Sequence, residues 1–168
     1  MKRVLCIVLA ILLLLPLVAC GQQKADIHDP VNFYYRKKNP SHSDAAISKE
    51  LGESEGHQED YTYLIDQYLK GPTDEILQRT FPSGIFVVDL TIEDKAATVV
   101  LSDFFSTLSG LDLTLACACL TLTVCELTGT EQLTVRTHST LLDGNKSITM
   151  ARKDIVLLDD CRVAIEPN

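Results

Sequence analysis

Cysteine gives this 168-residue chain its widest chemical reach, and its six cysteines fall into different settings. Cys20 follows a positive start, Met1-Lys2-Arg3, and an apolar run from Val4 to Ala19 that closes as Leu17-Val18-Ala19-Cys20-Gly21. Small residues ahead of a cysteine, behind a charged start and a short apolar run, look like a bacterial lipobox. Processing would remove residues 1–19 as a lipoprotein signal peptide and leave Cys20 as the lipidated first residue. A plain signal peptide with a chance cysteine, or an uncleaved anchor, are the other readings. The run is short for a membrane span. Cys6 lies inside this leader. Cys117, Cys119, Cys125 and Cys161 remain. An extracytoplasmic address permits disulfides, and four cysteines allow three pairings that sequence alone does not choose among. Cys117 and Cys119 are too close for an easy mutual bridge, and C-x-C lacks the second His or Cys pair that a zinc site needs. Buried free thiols acting as small hydrophobes are the first reading. A bridge from Cys161 to Cys117, Cys119 or Cys125 is the alternative.

No other residues form a catalytic constellation. His28, His42 and His57 fall in tether or loop, and neither they nor His138 sit in a metal or nucleophile motif. Asp103 and Asp143 could be an acid pair, but a helix N-terminus and a turn explain them without chemistry. The chain is therefore read as non-enzymatic, with no catalytic residue, cofactor or metal, and Cys20 as the one modified site.

Charge narrows the partners. Losing residues 1–19 removes Lys2 and Arg3 and no acidic residue, so the formal net charge of −8 becomes −10. Phosphate backbones and anionic headgroups repel such a domain, which argues against nucleic acid. Membrane attachment would come from the lipid on Cys20, and two acyl chains suffice for stable anchoring.

The elements that would carry these residues follow from periodicity. Residues 20–30 form a polar tether, 31–145 the folded domain, and 146–168 an extension with a short edge strand. Val31–Arg36 reads as a first strand, and Ser41–Gly56 as a loop with a weak strand near Ile47. Tyr61, Leu64, Ile65, Tyr68 and Leu69 make one apolar stripe of a helix from about Gln58 to Lys70, with Glu59 and Asp60 in its first turn. Gly71-Pro72 stops it, Gly71 by a left-handed cap. Thr73 would cap a helical turn over Asp74–Arg79. Phe86, Val88, Leu90 and Ile92 share one strand face, and Glu93-Asp94-Lys95 joins that strand to a partner carrying Val99 and Leu101. Ser102-Asp103 starts another helical turn. Leu111–Leu127 satisfies both periods; length favours a helix with a stripe of Leu113, Ala116, Cys117, Leu120, Val124 and Leu127, stopped by Gly129. Leu133–His138 alternates as a strand, Asp143-Gly144 turns, and Ile155–Leu158 is a last edge strand. The order predicts an α+β fold: a split β-α-β two-layer sandwich, a mixed sheet with two main helices on one face.

Several of these motifs occur together in one family. Leu64–Leu69 followed by Gly71-Pro72, then Phe81-Pro82-Ser83-Gly84, then Val99-Val100-Leu101-Ser102-Asp103-Phe104, resembles the GerM domain of sporulation and germination lipoproteins. Ala116–Leu127, Leu133–His138 and Asp143-Gly144 continue the pattern, so the resemblance spans about Val31 to Gly144. The acidic loop before the first helix, the cysteine-rich second helix and the loose spacing of Leu141-Leu142 depart from it. The resemblance implies a non-catalytic extracytoplasmic module in spore formation or germination, akin to folds that assemble into membrane-associated rings. It implies no ligand. An anchored structural or interaction module, engaging protein partners or copies of itself, is the first functional reading. An envelope ligand-binding lipoprotein, for a wall glycan or a small solute, is the second. It would require a groove with convergent polar groups, for which Tyr34, Tyr35 and Tyr63 are the available aromatics.

Overall fold

The computed structural model describes residues 29–41, 45–102, 107–138 and 147–157. Its order is β1 (Pro30–Lys37), β2 (Ile47–Glu53), α1 (Tyr61–Lys70), β3 (Leu77–Gln78), β4 (Val87–Glu93), β5 (Ala96–Leu101), α2 (Gly110–Thr128), β6 (Gln132–Thr137) and β7 (Ser147–Ala151). The class is α+β, as the pattern predicts. The strands form two sheets, ordered β2-β1-β3 and β4-β5-β6-β7, so β1 does not share a sheet with β4–β7. The four-stranded sheet is mixed: β5 and β6 run parallel with α2 as their crossover, and the remaining pairs are antiparallel.

Helix α2 organises both sheets. It packs on β1 on one side and on β5, β6 and β7 on the other. Ten consecutive residues, Ala116 to Cys125, are buried, so the single apolar stripe expected for this segment is instead an apolar surface all the way round. Ala116, Cys117, Ala118 and Cys119 are small, which lets flanking strands approach closely. Gly129 ends the helix in the left-handed conformation, φ 72°, its N–H bonded to the Cys125 carbonyl at 3.0 Å.

Strand β1 is covered on both faces, which explains why Phe33, Tyr34 and Tyr35 are all buried in succession. Phe33 and Tyr35 meet Tyr68 of α1; the Tyr35 and Tyr68 rings stack at 4.8 Å. Strand β2 takes one edge of β1 along its whole length, from Pro30↔Glu53 to Arg36↔Ile47. The weak strand near Ile47 is thus a full seven-residue strand. Its composition hides it because it is an edge whose alternate side chains face water. Gly52 serves close packing: a Cβ there would stand 2.7 Å from the Phe33 ring.

Other boundaries move for local reasons. Helix α1 starts at Tyr61, with Asp60 as its N-cap accepting the Tyr63 N–H at 3.0 Å. Gly71 does have a positive φ, 99°, but with ψ 171° it is extended and not a left-handed helical cap. The Tyr68 carbonyl at this end of α1 accepts the Tyr35 hydroxyl at 2.9 Å and the Gly71 N–H at 3.0 Å. The segment after Pro72 forms no helix over Asp74–Arg79, only a single turn in which the Leu77 N–H bonds the Asp74 carbonyl at 3.1 Å. Glu50 of β2 takes the Thr73 N–H at 2.9 Å, its hydroxyl, and the Asp74 N–H at 2.8 Å, and the chain passes directly into β3.

Strand β4 carries a register shift between Val87 and Asp89. Val87 opposes buried Leu101, whereas Leu90 and Ile92 oppose Val99 and Ala97. The extra residue turns Phe86 and Val88 away from the face that Leu90 and Ile92 share, so the four do not line one face. Phe86 is 54% exposed as a result. The hairpin to β5 turns through Asp94, at φ 51°, and Lys95. On the outer face of the sheet, Thr91, Thr98, Thr134 and Thr149 stand opposite one another across all four strands. The Thr134 and Thr149 hydroxyls are 2.9 Å apart. The C-terminal edge strand is β7, Ser147–Ala151. Ile155 to Leu157 follow a 3-10 turn (Arg152–Asp154) and are not a strand. The turns proposed at Ser102-Asp103 and Asp143-Gly144 involve residues outside the described set.

Candidate functional site

Asp112 and Glu126 are the only charged residues of α2, and β1 meets both. Asp112 lies in the first turn, where the helix dipole favours a carboxylate, and Arg36 reaches it at 2.7 Å. Glu126 lies in the last turn, where the dipole opposes it. It survives there because three side chains converge on it. Asn32 Nδ2 donates to Oε1 at 2.5 Å, the Tyr34 hydroxyl donates to Oε2 at 2.5 Å, and the Arg152 guanidinium stands 3.4 Å from Oε2. Arg152 also donates to the Leu122 carbonyl at 3.4 Å. Between the two charged ends, Thr123 Oγ1 accepts the Tyr34 N–H at 3.0 Å. On the edge of β1 away from β2, β3 pairs with Arg36 and Lys37, and the helix takes the N–H of Tyr34.

The electrostatics match this geometry. Burial pushes the Glu126 pKa up, but the donated hydrogen bonds of Tyr34 and Asn32 and the charge of Arg152 outweigh it, and the net shift is downward. Tyr34 moves the other way, first through burial and then through its bond to Glu126, and so stays a donor. Because Glu126 has a lower pKa folded than unfolded, the stability it contributes is present above the unfolded value and is lost as pH falls through the folded one. Glu126→Gln should lower the Tm at neutral pH and leave a shallower acid limb in a Tm-against-pH series. Parallel curves for the two proteins would show that the carboxylate's charge is not what Tyr34 and Arg152 respond to.

This junction opens onto a cleft of about 890 Å³, lined by Tyr34, Ala96, Leu122, Arg152 and Ile155 among others. Ile155 to Leu157 also wall a second cleft of about 540 Å³. The first cleft carries Lys95, Arg152 and Lys153 beside Glu93, Asp94 and Glu131, and Lys95 is paired with Glu131 at 2.5 Å. Such balanced charge favours no one sign of ligand.

The residues singled out from sequence are scattered. Cys20, Cys161, His28, His42, Asp103 and Asp143 lie outside the described residues. His57 stacks on the Tyr63 ring at 4.1 Å, and Tyr63 donates to Glu55 at 2.5 Å. The N–H of His138 is bonded to the Leu101 carbonyl. Tyr35 is wholly core, and Tyr34 lines the first of these clefts. Among the described residues, no three His, Cys, Asp or Glu side chains gather as a cation site. Cys117, Cys119 and Cys125 are free and buried. Burial pushes Cys117 and Cys119 up to about 12 and raises Cys125, the opposite of what a reactive thiolate requires. Alkylation mapped by mass should leave these three unlabelled in the native protein and label them fully in denaturant. Labelling without denaturant would mean that the core opens readily.

Asn32, Glu126 and Arg152 were not singled out from sequence. The available signal was Glu126 itself, a carboxylate at the C-terminal end of a helical run that is uncharged from Leu113 to Cys125, which demands a partner.

Comparison with known proteins places the architecture. A family model described as Germane, sporulation and spore germination, matches residues 32–139. The structure of the tandem GerMN domains of the sporulation protein GerM from Bacillus subtilis superposes with a TM-score of 0.55 at 15% identity, covering 80% of this chain and 49% of that one. The chain therefore spans about half the length of that tandem protein. The first GerMN domain of the same protein gives a TM-score of 0.52 at 17% identity, covering 76% of this chain and 100% of that one. No curated protein matches the chain. With most of the described residues inside the matched range and the same fold in both structures, the chain belongs to the Germane family of sporulation and spore germination.

Proposed function

We propose that this protein is a lipid-anchored, non-catalytic interaction module of the cell envelope, acting in sporulation or germination. The non-catalytic part is supported by geometry: both Glu126 oxygens are occupied by Asn32, Tyr34 and Arg152, and Cys117, Cys119 and Cys125 are buried. The carboxylate of Glu126 is held ionised, whereas a general acid needs a raised value. The thiols are held protonated, whereas a nucleophile needs a lowered one. Anchoring rests on the Leu17–Gly21 pattern around Cys20. The module would meet protein partners, or further copies of itself, through its exposed sheet edge.

Membrane fractionation tests the anchor. Cys20→Ala should leave the domain folded while blocking processing or releasing the protein from membranes. A variant that is still processed and membrane-bound would sink the lipid claim.

The 890 Å³ cleft favours a second reading, an envelope ligand-binding lipoprotein, because Tyr34, Arg152 and Lys153 converge at it. Titration of the full chain with a soluble wall-glycan fragment, read by tyrosine fluorescence, discriminates the two. Saturable quenching lost in Arg152→Ala supports the second reading, and a flat titration supports the first.

A further inference from the structure

Among the described residues, the edge of the four-stranded sheet formed by β4 is unpaired, and it is unusually composed. β7 bounds the other edge, where its Ile148 and Met150 pack on the core. β4 instead exposes apolar side chains, Val88 at 38% and Ile92 at 39%, and Phe86 just ahead of it is 54% exposed. An edge strand leaves alternate N–H and C=O groups unpaired. Here the Val87 N–H is already taken by Asp66 of α1 at 3.0 Å. From Asp89 to Glu93 no other described element reaches the outer side of the strand. The register sets a pattern on this open length. Asp89, Thr91 and Glu93 point to the outer face, and Leu90 and Ile92 to the inner face. The adjoining turn adds Asp94, and the nearby cation, Lys95, is bonded to Glu131.

We propose that this edge accepts an extended segment of a partner protein as an added strand. The segment carries basic residues four apart, opposite Asp89 and Glu93, and apolar residues at the two intervening positions that lie beside Leu90 and Ile92. Main-chain hydrogen bonds supply the register and the side chains the choice of partner. The inference rests on the interaction-module reading and names the class of partner. Charge selects a different protein over a second copy. Pairing β4 with β4 would set the Asp89, Glu93 and Asp94 carboxylates of both copies along one seam, between chains of net charge −8 each. Like charges facing across a strand pair are destabilising. An exposed apolar patch at a strand whose own charges oppose self-pairing marks an edge kept for a complementary partner.

The test uses the full chain in zwitterionic lipid nanodiscs and a fluorescein-labelled peptide, acetyl-Val-Lys-Val-Thr-Val-Lys-Val-amide, followed by anisotropy. Saturable binding is expected. It should weaken by about tenfold or more in the double variant Asp89→Lys/Glu93→Lys, whose exposed positions leave the core untouched. It should vanish for the same peptide N-methylated at alternate residues, which blocks one hydrogen-bonding edge. Absence of binding to the wild-type chain overturns the proposal. So does binding that survives N-methylation, because that is only attraction of a cation to an acidic surface. Growth in mass with concentration, abolished by the same double variant, would overturn it in favour of a second copy. Fractionation of Cys20→Ala reads the anchor separately. A chain that is anchored through Cys20 but ignores the peptide rejects this edge and leaves the anchored module standing.

Discussion

Leu120→Ala should lower the stability of the domain by about 2–5 kcal/mol, the range for emptying a buried leucine site that the surroundings cannot refill. Leu120 is wholly buried in the middle of α2, with β1 on one side of the helix and β5–β7 on the other. Neither sheet can collapse into the cavity without pulling away from its own strand partners. A domain of this size is stable by only about 5–15 kcal/mol, so the loss is a large share of the total. Urea denaturation followed by circular dichroism reads it as a lower midpoint at unchanged slope. Leu111→Ala is the internal comparison. Leu111 is on the same helix but 70% exposed, and its truncation should change stability by no more than about 0.5 kcal/mol. Equal midpoints for the two variants would contradict the central position of α2.

Thr123→Val and Thr121→Val should have opposite consequences, although the substitutions are chemically identical and both sites are fully buried. The Thr123 hydroxyl accepts the Tyr34 N–H. Valine keeps the shape, removes the acceptor, and leaves a buried backbone donor unpaired, at a cost of about 1–3 kcal/mol. Among the described residues, the Thr121 hydroxyl has no hydrogen-bond partner. Replacing it with a methyl removes a desolvated polar atom, so Thr121→Val should be neutral or mildly stabilising. The same denaturation series checks both, and it fails the prediction if the two midpoints move together.

This pair also shows how far the sequence can be read. Threonines in Leu111–Leu127 pull the segment towards strand, and only its length argues for helix. The helix is present, but the apolar stripe assigned to it names only four of the ten buried residues. Sequence periodicity reports one water-facing side, and α2 has none over Ala116–Cys125. The division into two sheets follows from the same cause. Three consecutive buried side chains in β1 mean two covered faces, but they do not name the element on each. Strand β2 was obscured because a polar edge strand and a polar loop have the same composition. The faces of β4 were misassigned because one inserted residue inverts the alternation without any glycine or proline to mark it. At the Glu126 junction, the carboxylate was visible as an unpartnered charge. Its partners come from positions 32, 34 and 152, and only tertiary structure brings those distances in sequence together.

The fully buried girth of α2 bears on the proposed export route. Gly110–Thr128 is long and apolar enough to cross a bilayer by length and composition. A chain exported before it folds would present that segment to the translocation channel without its sheets, where passage competes with sideways escape into lipid. Insertion at the helix centre is driven by leucine, isoleucine, phenylalanine and valine and opposed by polar groups. Thr121, Thr123 and the small cysteines and alanines around them would keep the segment weak as a stop signal, while Glu126 and Asp112 mark its ends. A core filled for greatest stability, with leucine or valine in place of those threonines, would then tend to strand the domain halfway across the membrane. On the proposed export route two demands would meet in one helix: enough apolar surface to hold two sheets together and enough polarity to be let through.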